Sequence, residues 1–255
     1  MCHIDSPIFP ISGGDHLTEA DLTIDVLDTT PLPLFVVTPE TTPAPAILLI
    51  ADIYGPSAFY RDIARRLAAA GYLVALPDLF ARLEPLDDPS RDELRARNGQ
   101  LEQVDSLRDV QHVLTWLKHH EASTGKLGTI GFCMGGTLVM LAGSRQPVPN
   151  ASVAFYGFPT RQRTPTNPIL ASDVDEAANL ASPLLAFWGD EDRAISVDTI
   201  TAYDTQLTEL GKPHEFTVYP GVGHSFMTFD PDAPTSPAAT AAWTRTLAFL
   251  EEHLA

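Results

Sequence analysis

Strand-like and helix-like runs alternate from about Asp21 to the end of the chain, and this alternation restricts the fold more than any other feature. The run APAILLIADIYG (residues 44–55) is continuously apolar and contains a glycine at its end, which is typical of a strand buried on both faces. The next run, SAFYRDIARRLAAAGY, has helical spacing and places Gly71 at a predicted C-cap. Further buried strands are predicted in LVALPDLF, LGTIGF, ASVAFYG, PLLAFWG and HEFTVYPG. The alternation predicts an α/β fold with a mainly parallel, doubly wound sheet.

The remaining segments complete this predicted domain. ADLTIDVLD and PLPLFVVTPE are expected to form two leading strands at an antiparallel edge. Helices are predicted over residues 101–120, 196–211 and 238–254. In the first of these, one buried face is expected to contain Leu101, Val104, Leu107, Val110, Val113, Leu114 and Leu117. The pattern weakens over residues 156–183, where we expect an insertion or lid near a site. We predict an N-terminal extension over residues 1–20 and one domain over residues 21–255.

Composition excludes several classes of partner. The formal charge is -17, which argues against nucleic acid and anionic membrane surfaces, because both attract positive charge. No uninterrupted apolar run reaches about 18 residues, and the amino terminus lacks a basic start followed by an apolar core. The two cysteines, Cys2 and Cys133, are not expected to form a structural disulfide, so a cytoplasmic location is predicted. The oligomeric state is left open.

The sequence also argues against a metal or nucleotide cofactor. It contains neither a CxxC nor an HExxH motif, and Cys2 beside His3 is weak evidence for a metal site. The glycine pairs at residues 13–14 and at 221 and 223 do not open a helix after a strand, as a dinucleotide fingerprint would require. We therefore expect no cofactor.

Cys133 lies between a predicted strand and a predicted helix, in the sequence Gly131-Phe132-Cys133-Met134-Gly135. A free cysteine is often a small buried apolar residue. In this setting the glycines favour a second interpretation, a nucleophile at a sharp turn, because a strained backbone needs small neighbours. The N-terminus of the following helix would favour the thiolate.

The other candidate groups also follow predicted strands. The sequence WGDED offers Asp190 and Asp192, and His224 follows the last strand. Nucleophile, acid and histidine thus occur in the chain order of the α/β-hydrolase triad. We favour Asp192 as the acid, and Asp190 is then expected to accept backbone hydrogen bonds in its turn.

An oxyanion site is predicted beside the sulfur. In this arrangement the N–H of Met134 faces the place where negative charge develops during acyl transfer. The loop after the third strand, ADIYG, would supply a second donor, most simply the N–H of Ile53. His224 would act as general base and then as general acid.

With these residues in hand, the chain resembles the dienelactone hydrolase family, a cysteine branch of the α/β-hydrolase fold. The likeness runs from about Asp21 to Leu254 and includes GFCMGG, GDEDRAI, YPGVGHSF and the tail AAWTRTLAFLEEHL. It implies that Asp192 is the catalytic aspartate. It also implies that Asp52, where the family has a glutamate, pairs with the resting thiol.

The resemblance further implies that Arg82 is one of two arginines that hold a substrate carboxylate. The position of the second arginine is occupied by Thr228, which cannot supply a charge. Together with the acidic balance of the chain, this replacement suggests neutral or weakly anionic esters.

The sequence thus predicts a hydrolase that cleaves a small-molecule ester or lactone through a thioester on Cys133. Thioesterase, acyltransferase or dehalogenase-like activity at the same triad is an alternative. A redox-sensing or binding protein on the same fold, with Cys133 as the sensor, is the alternative without turnover.

Overall fold

The computed structural model describes residues 9–11, 16–26 and 31–255. Cys2 and His3, which bear on the disulfide and metal predictions, lie outside the described residues. Within the described part, the strands are β1 Thr18–Ile24, β2 Leu32–Thr38, β3 Ala44–Ile50, β4 Leu73–Pro77, β5 Ser123–Phe132, β6 Ala151–Phe155, β7 Leu184–Gly189 and β8 His214–Tyr219. The helices are α1 Ala58–Ala69, α2 Arg91–Gln100, α3 Gln103–His119, α4 Met134–Ala142, α5 Val174–Asn179, α6 Val197–Glu209 and α7 Ser236–Leu254.

These strands form one sheet in the order β1-β2-β4-β3-β5-β6-β7-β8. The β1–β2 and β2–β4 pairs are antiparallel, and all pairs from β4 to β8 are parallel. Every residue of β4, β6 and β7 is buried, because helices cover both faces of the sheet. The predicted fold class, including the antiparallel N-terminal edge, is confirmed.

The sheet topology determines where a site can form. Strands β3, β5, β6, β7 and β8 are consecutive neighbours and run in one direction, so their carboxyl ends meet at one edge. The residues that follow β3, β5, β7 and β8 therefore come together, although they are distant in sequence. All the candidate triad and oxyanion residues follow one of these four strands.

Two helix predictions were incomplete. Leu101 is the C-cap of α2 rather than part of α3, and Val104, predicted to be buried, is 48% exposed in the first turn of α3. Helix α2 was not predicted, although its capping box was visible in the sequence. Ser90 Oγ accepts a hydrogen bond from the Glu93 N–H at 3.3 Å, and the Ser90 N–H donates to the Glu93 carboxylate at 2.8 Å.

None of the helices in the described part of the chain is long and apolar enough to cross a membrane.

Candidate active site

Cys133 is the N-cap of α4 and has φ 54° and ψ −113°, a left-handed conformation that is unusual for a residue other than glycine. The turn is held on both sides. The Cys133 N–H donates to the Phe155 carbonyl at 2.9 Å, and the Cys133 carbonyl accepts from the Thr137 N–H at 3.1 Å. The side chain is partly exposed, so the sulfur is not sealed in the core.

Close backbone packing explains the two glycines that flank the cysteine. A Cβ atom on Gly131 would lie 2.2 Å from the Gly135 carbonyl oxygen. A Cβ atom on Gly135 would lie 2.4 Å from the carbonyl oxygen of Ile50, at the end of β3. Any side chain at either position would push α4 away from β3 and β5, and the turn at Cys133 would change shape.

Met134 is the first residue of α4 and lines the same cavity as Cys133. The N–H groups in the first turn of a helix have no acceptor within the helix. The same end of the helix carries partial positive charge, which favours a negative charge on sulfur or on a nearby oxygen.

The loop after β3 is held in a fixed shape beside this turn. Asp52 Oδ1 accepts from the Tyr54 N–H at 2.9 Å, and the Ile53 carbonyl accepts from Arg97 Nη2 at 3.2 Å. Ile53 itself lines the cavity. Since the Ile53 carbonyl is bound to Arg97, the peptide unit between Ile53 and Tyr54 is held in place.

Asp192 and His224 are in direct contact. Asp192 Oδ2 lies 2.7 Å from Nδ1 of His224, and the Asp192 side chain has no exposed surface. Its other oxygen, Oδ1, accepts from the N–H groups of Ala194 at 2.8 Å and Ile195 at 3.2 Å. The carboxylate is therefore fully oriented, and it leaves Nε2 as the free nitrogen of the imidazole.

Asp190 was the other candidate for the acid of the triad. Its Oδ1 accepts from the Gly221 N–H at 2.7 Å, a hydrogen bond that links the loops after β7 and β8. The structure thus places Asp192 against the histidine and Asp190 in the turn.

The cavity at this edge has a volume of about 470 Å³. Its lining brings together five of the seven predicted site residues, namely Cys133, Asp192, His224, Ile53 and Met134. Aromatic rings flank the histidine, with ring centroids 5.0 Å away for Tyr156 and 5.6 Å for Phe158.

Asp52 is not among the residues that line the cavity and is 1% exposed. Burial raises the pKa of its carboxyl from the ordinary value to about 6, although the hydrogen bond from the Tyr54 N–H opposes this shift. The positive charge of His224 also opposes it, so Asp52 and His224 interact. The pairing of Asp52 with the resting thiol stays a prediction.

Arg82 is placed differently from the other six. Its guanidinium makes two parallel hydrogen bonds to the Asp109 carboxylate, at 2.5 and 2.9 Å. It lines a separate cavity of about 120 Å³ rather than the one that contains Cys133. Thr228 also lies elsewhere, in a third cavity that it lines with Arg66.

Sequence reasoning missed four arginines that line the cavity of Cys133, namely Arg91, Arg95, Arg161 and Arg193. Arg161 and Phe158 come from the segment over residues 156–183, which was expected to lie near the site. Arg91 and Arg95 belong to α2, and the Ser90–Glu93 capping box was the signal in the sequence that could have predicted this helix. Among the described residues, no group of three or more His, Cys, Asp or Glu side chains could hold a metal ion.

Comparison with known families agrees with the fold. The model of the dienelactone hydrolase family matches residues 32–254. The chain belongs to the dienelactone hydrolase family. Membership indicates a hydrolase of lactone or ester bonds, on the fold described above.

Individual members support the same conclusion. The chain is 31% identical over 263 residues to the carboxymethylenebutenolidase of Rhodococcus opacus, covering 100% of this chain and 98% of the relative. It is 32% identical over 212 residues to a protein of Bradyrhizobium sp named as a 2-oxo-3-(5-oxofuran-2-ylidene)propanoate lactonase, covering 82% of this chain and 84% of the relative. A crystal structure from Klebsiella pneumoniae, titled as that of a dienelactone hydrolase, superposes with a TM-score of 0.84 and 26% identity, over 92% of this chain and 99% of that one.

Proposed function

We propose that this protein hydrolyses small-molecule esters or lactones with Cys133 as nucleophile, through a thioester intermediate. His224 is the general base and acid, Asp192 holds its tautomer, and the N–H groups of Met134 and Ile53 bind the oxyanion. The observation that carries the proposal is the strained turn at Cys133, which opens into the same cavity as a histidine bonded to a buried carboxylate.

In the first half of the reaction, Nε2 of His224 takes the thiol proton and the sulfur attacks the carbonyl carbon. A carbon–sulfur bond forms, and the carbonyl oxygen becomes an anion opposite the two backbone N–H groups. Collapse of this intermediate breaks the carbon–oxygen bond of the ester, and His224 gives its proton to the departing alkoxide. A thioester on Cys133 remains.

In the second half, His224 takes a proton from a water molecule, whose oxygen attacks the thioester carbon. The new intermediate collapses with loss of the sulfur, which takes the proton back from His224, so the carboxylic acid is released and Cys133 is restored. A lactone follows the same steps, but its alcohol is part of the acyl chain, so no alcohol leaves in the first half and the second half releases a single hydroxy acid.

The substitution Cys133→Ala tests the proposal on a p-nitrophenyl ester. Loss of the nucleophile should lower kcat by about 10⁴-fold or more, because the groups of a triad act as a unit. The substitution Cys2→Ala is the matched control, since it removes the other cysteine, and it should leave kcat unchanged. Equal circular dichroism spectra establish that both variants are folded. Turnover by the folded Cys133→Ala variant at the wild-type rate would refute the assignment.

A further inference from the structure

Positive charge is concentrated in the cavity of a protein that is otherwise strongly acidic. The chain carries a formal charge of -17, yet four arginines line the one cavity that contains Cys133 and His224. Arg91, Arg95 and Arg193 are exposed around it, whereas Arg161 is partly buried. Clustering of one sign of charge in a concave site raises the local concentration of ligands with the opposite charge.

Arg161 has no counter-ion among the described residues. Its hydrogen bond to those residues goes from Nη2 to the Asn167 amide oxygen, which is neutral. The Nε atom is buried and has no acceptor. Arg163, two residues along the same segment, is instead paired with the Asp173 carboxylate.

The electrostatic environment connects Arg161 to the nucleophile. Burial lowers the pKa of the Arg161 guanidinium, and negative charge on Cys133 acts in the opposite direction. A desolvated guanidinium without an anion is costly, and an anionic ligand in the cavity would offset that cost. The planar fork of arginine is suited to a carboxylate.

We propose that Arg161 determines specificity by binding a carboxylate on the acyl part of the substrate. The proposal rests on the function proposed above, since it places that carboxylate beside the carbon that Cys133 attacks. The substrate is then an anionic ester or lactone, whereas Thr228 and the acidic balance of the chain suggested neutral or weakly anionic esters. Arg82 cannot fill this role while it is paired with Asp109 outside the cavity.

The three exposed arginines have a different part in the same proposal. Arg91 and Arg193 make no ion pair with any residue that the structure describes, and Arg95 has a long contact of 3.4 Å with Asp92. Exposed charges of this kind attract an anionic substrate from solution, and salt screens that attraction. The value of kcat/KM for an anionic ester should therefore fall with ionic strength, and that for a neutral ester should not.

The first test compares two esters that differ by one terminal carboxylate, p-nitrophenyl butyrate and mono-p-nitrophenyl glutarate. The substitution Arg161→Gln should lower the ratio of kcat/KM, glutarate to butyrate, by about 10- to 100-fold, as expected for loss of a charge-assisted hydrogen bond. Arg163→Gln is the matched control and should leave the ratio unchanged. An unchanged ratio in Arg161→Gln would overturn the proposal.

A second test needs no turnover. Iodoacetate and iodoacetamide both alkylate a thiolate with loss of iodide, but only the first carries a carboxylate. Relative to glutathione, wild-type Cys133 should favour iodoacetate, and Arg161→Gln should remove that preference. If both reagents label Cys133 and the ratio of their rates is the same in wild type and in Arg161→Gln, only the proposed role of Arg161 is contradicted. If neither reagent labels Cys133, the proposed nucleophile is contradicted as well.

Discussion

The Asp192 carboxylate lies 2.7 Å from Nδ1 of His224, and both residues come from loops at the carboxyl ends of neighbouring parallel strands. The carboxylate is oriented by the N–H groups of Ala194 and Ile195, so its position does not depend on the histidine. This arrangement holds the imidazole in one tautomer, with Nε2 directed to other groups in the cavity.

Asp192→Asn should retain the fold, because the amide oxygen can still accept from the N–H groups of Ala194 and Ile195. The amide N–H would face Nδ1 and favour the wrong tautomer of His224, so kcat should fall by about 10⁴-fold. Asp190→Asn is the matched control, since asparagine can still accept from Gly221 in that turn. Initial rates on one p-nitrophenyl ester measure both variants. An equal loss of activity in the two variants would contradict the role given to Asp192.

Asp52 should make the stability of the protein depend on pH. Its folded pKa is raised from 3.8 to about 6, so the folded state prefers the neutral carboxyl more than the unfolded chain does. The folded state therefore loses stability as the pH rises from about 4 through about 6. Between about pH 5 and pH 7.5, this group lowers the free energy of unfolding by about 1 kcal/mol, because one pKa unit corresponds to about 1.4 kcal/mol.

Asp52→Asn removes this titration while retaining an acceptor for the Tyr54 N–H. The free energy of unfolding of the variant, relative to wild type, should therefore be higher by about 1 kcal/mol at pH 7.5 than at pH 5. Urea unfolding at the two pH values measures the difference, and both values lie above the sequence pI near 4.6. A difference that stays constant with pH would show that Asp52 titrates normally.

Arg82 is expected to act on stability rather than on substrate selection. Asp109 is 3% exposed, and removal of its partner leaves a buried carboxylate without a counter-charge. Arg82→Gln should therefore lower the free energy of unfolding by about 2 kcal/mol. The glutarate-to-butyrate ratio of kcat/KM should stay at the wild-type value. A fall in that ratio, with normal stability, would instead support the carboxylate-binding role that family resemblance implies.

The fold and five of the residues that line the cavity at Cys133 could be predicted from the sequence for a common physical reason. Parallel strands buried on both faces appear as continuous apolar runs, and chemical groups after such runs meet at one edge of the sheet. Cys133 and His224 could be recognised because Cys133 follows β5 directly and His224 lies in the loop after β8, each beside glycines in the sequence. The choice between Asp190 and Asp192 was harder, since both stand in one turn and only three-dimensional contacts separate them.

The features that were missed depend on contacts between segments with weak patterns. Val104 has helical spacing but lies in the first turn of α3, where Gln103 and Ser106 are buried instead. Arg161 lies in an irregular segment, so no periodicity places its side chain in a cavity. Arg91 and Arg95 could have been located only if the Ser90–Glu93 capping box had been recognised. The pairing of Arg82 with Asp109 joins residues that are 27 positions apart, and charge alone did not predict it.

The most direct test of the central claim is the mass of the enzyme during turnover. Wild-type protein is mixed with mono-p-nitrophenyl glutarate or p-nitrophenyl butyrate, quenched in acid within the first turnover, and analysed intact and after proteolysis. We predict a mass increase equal to the acyl group, located on Cys133, removed by neutral hydroxylamine and missing from Cys133→Ala. Acyl transfer to another residue, or turnover of both esters without any adduct on Cys133, would contradict the claim that this sulfur is the nucleophile.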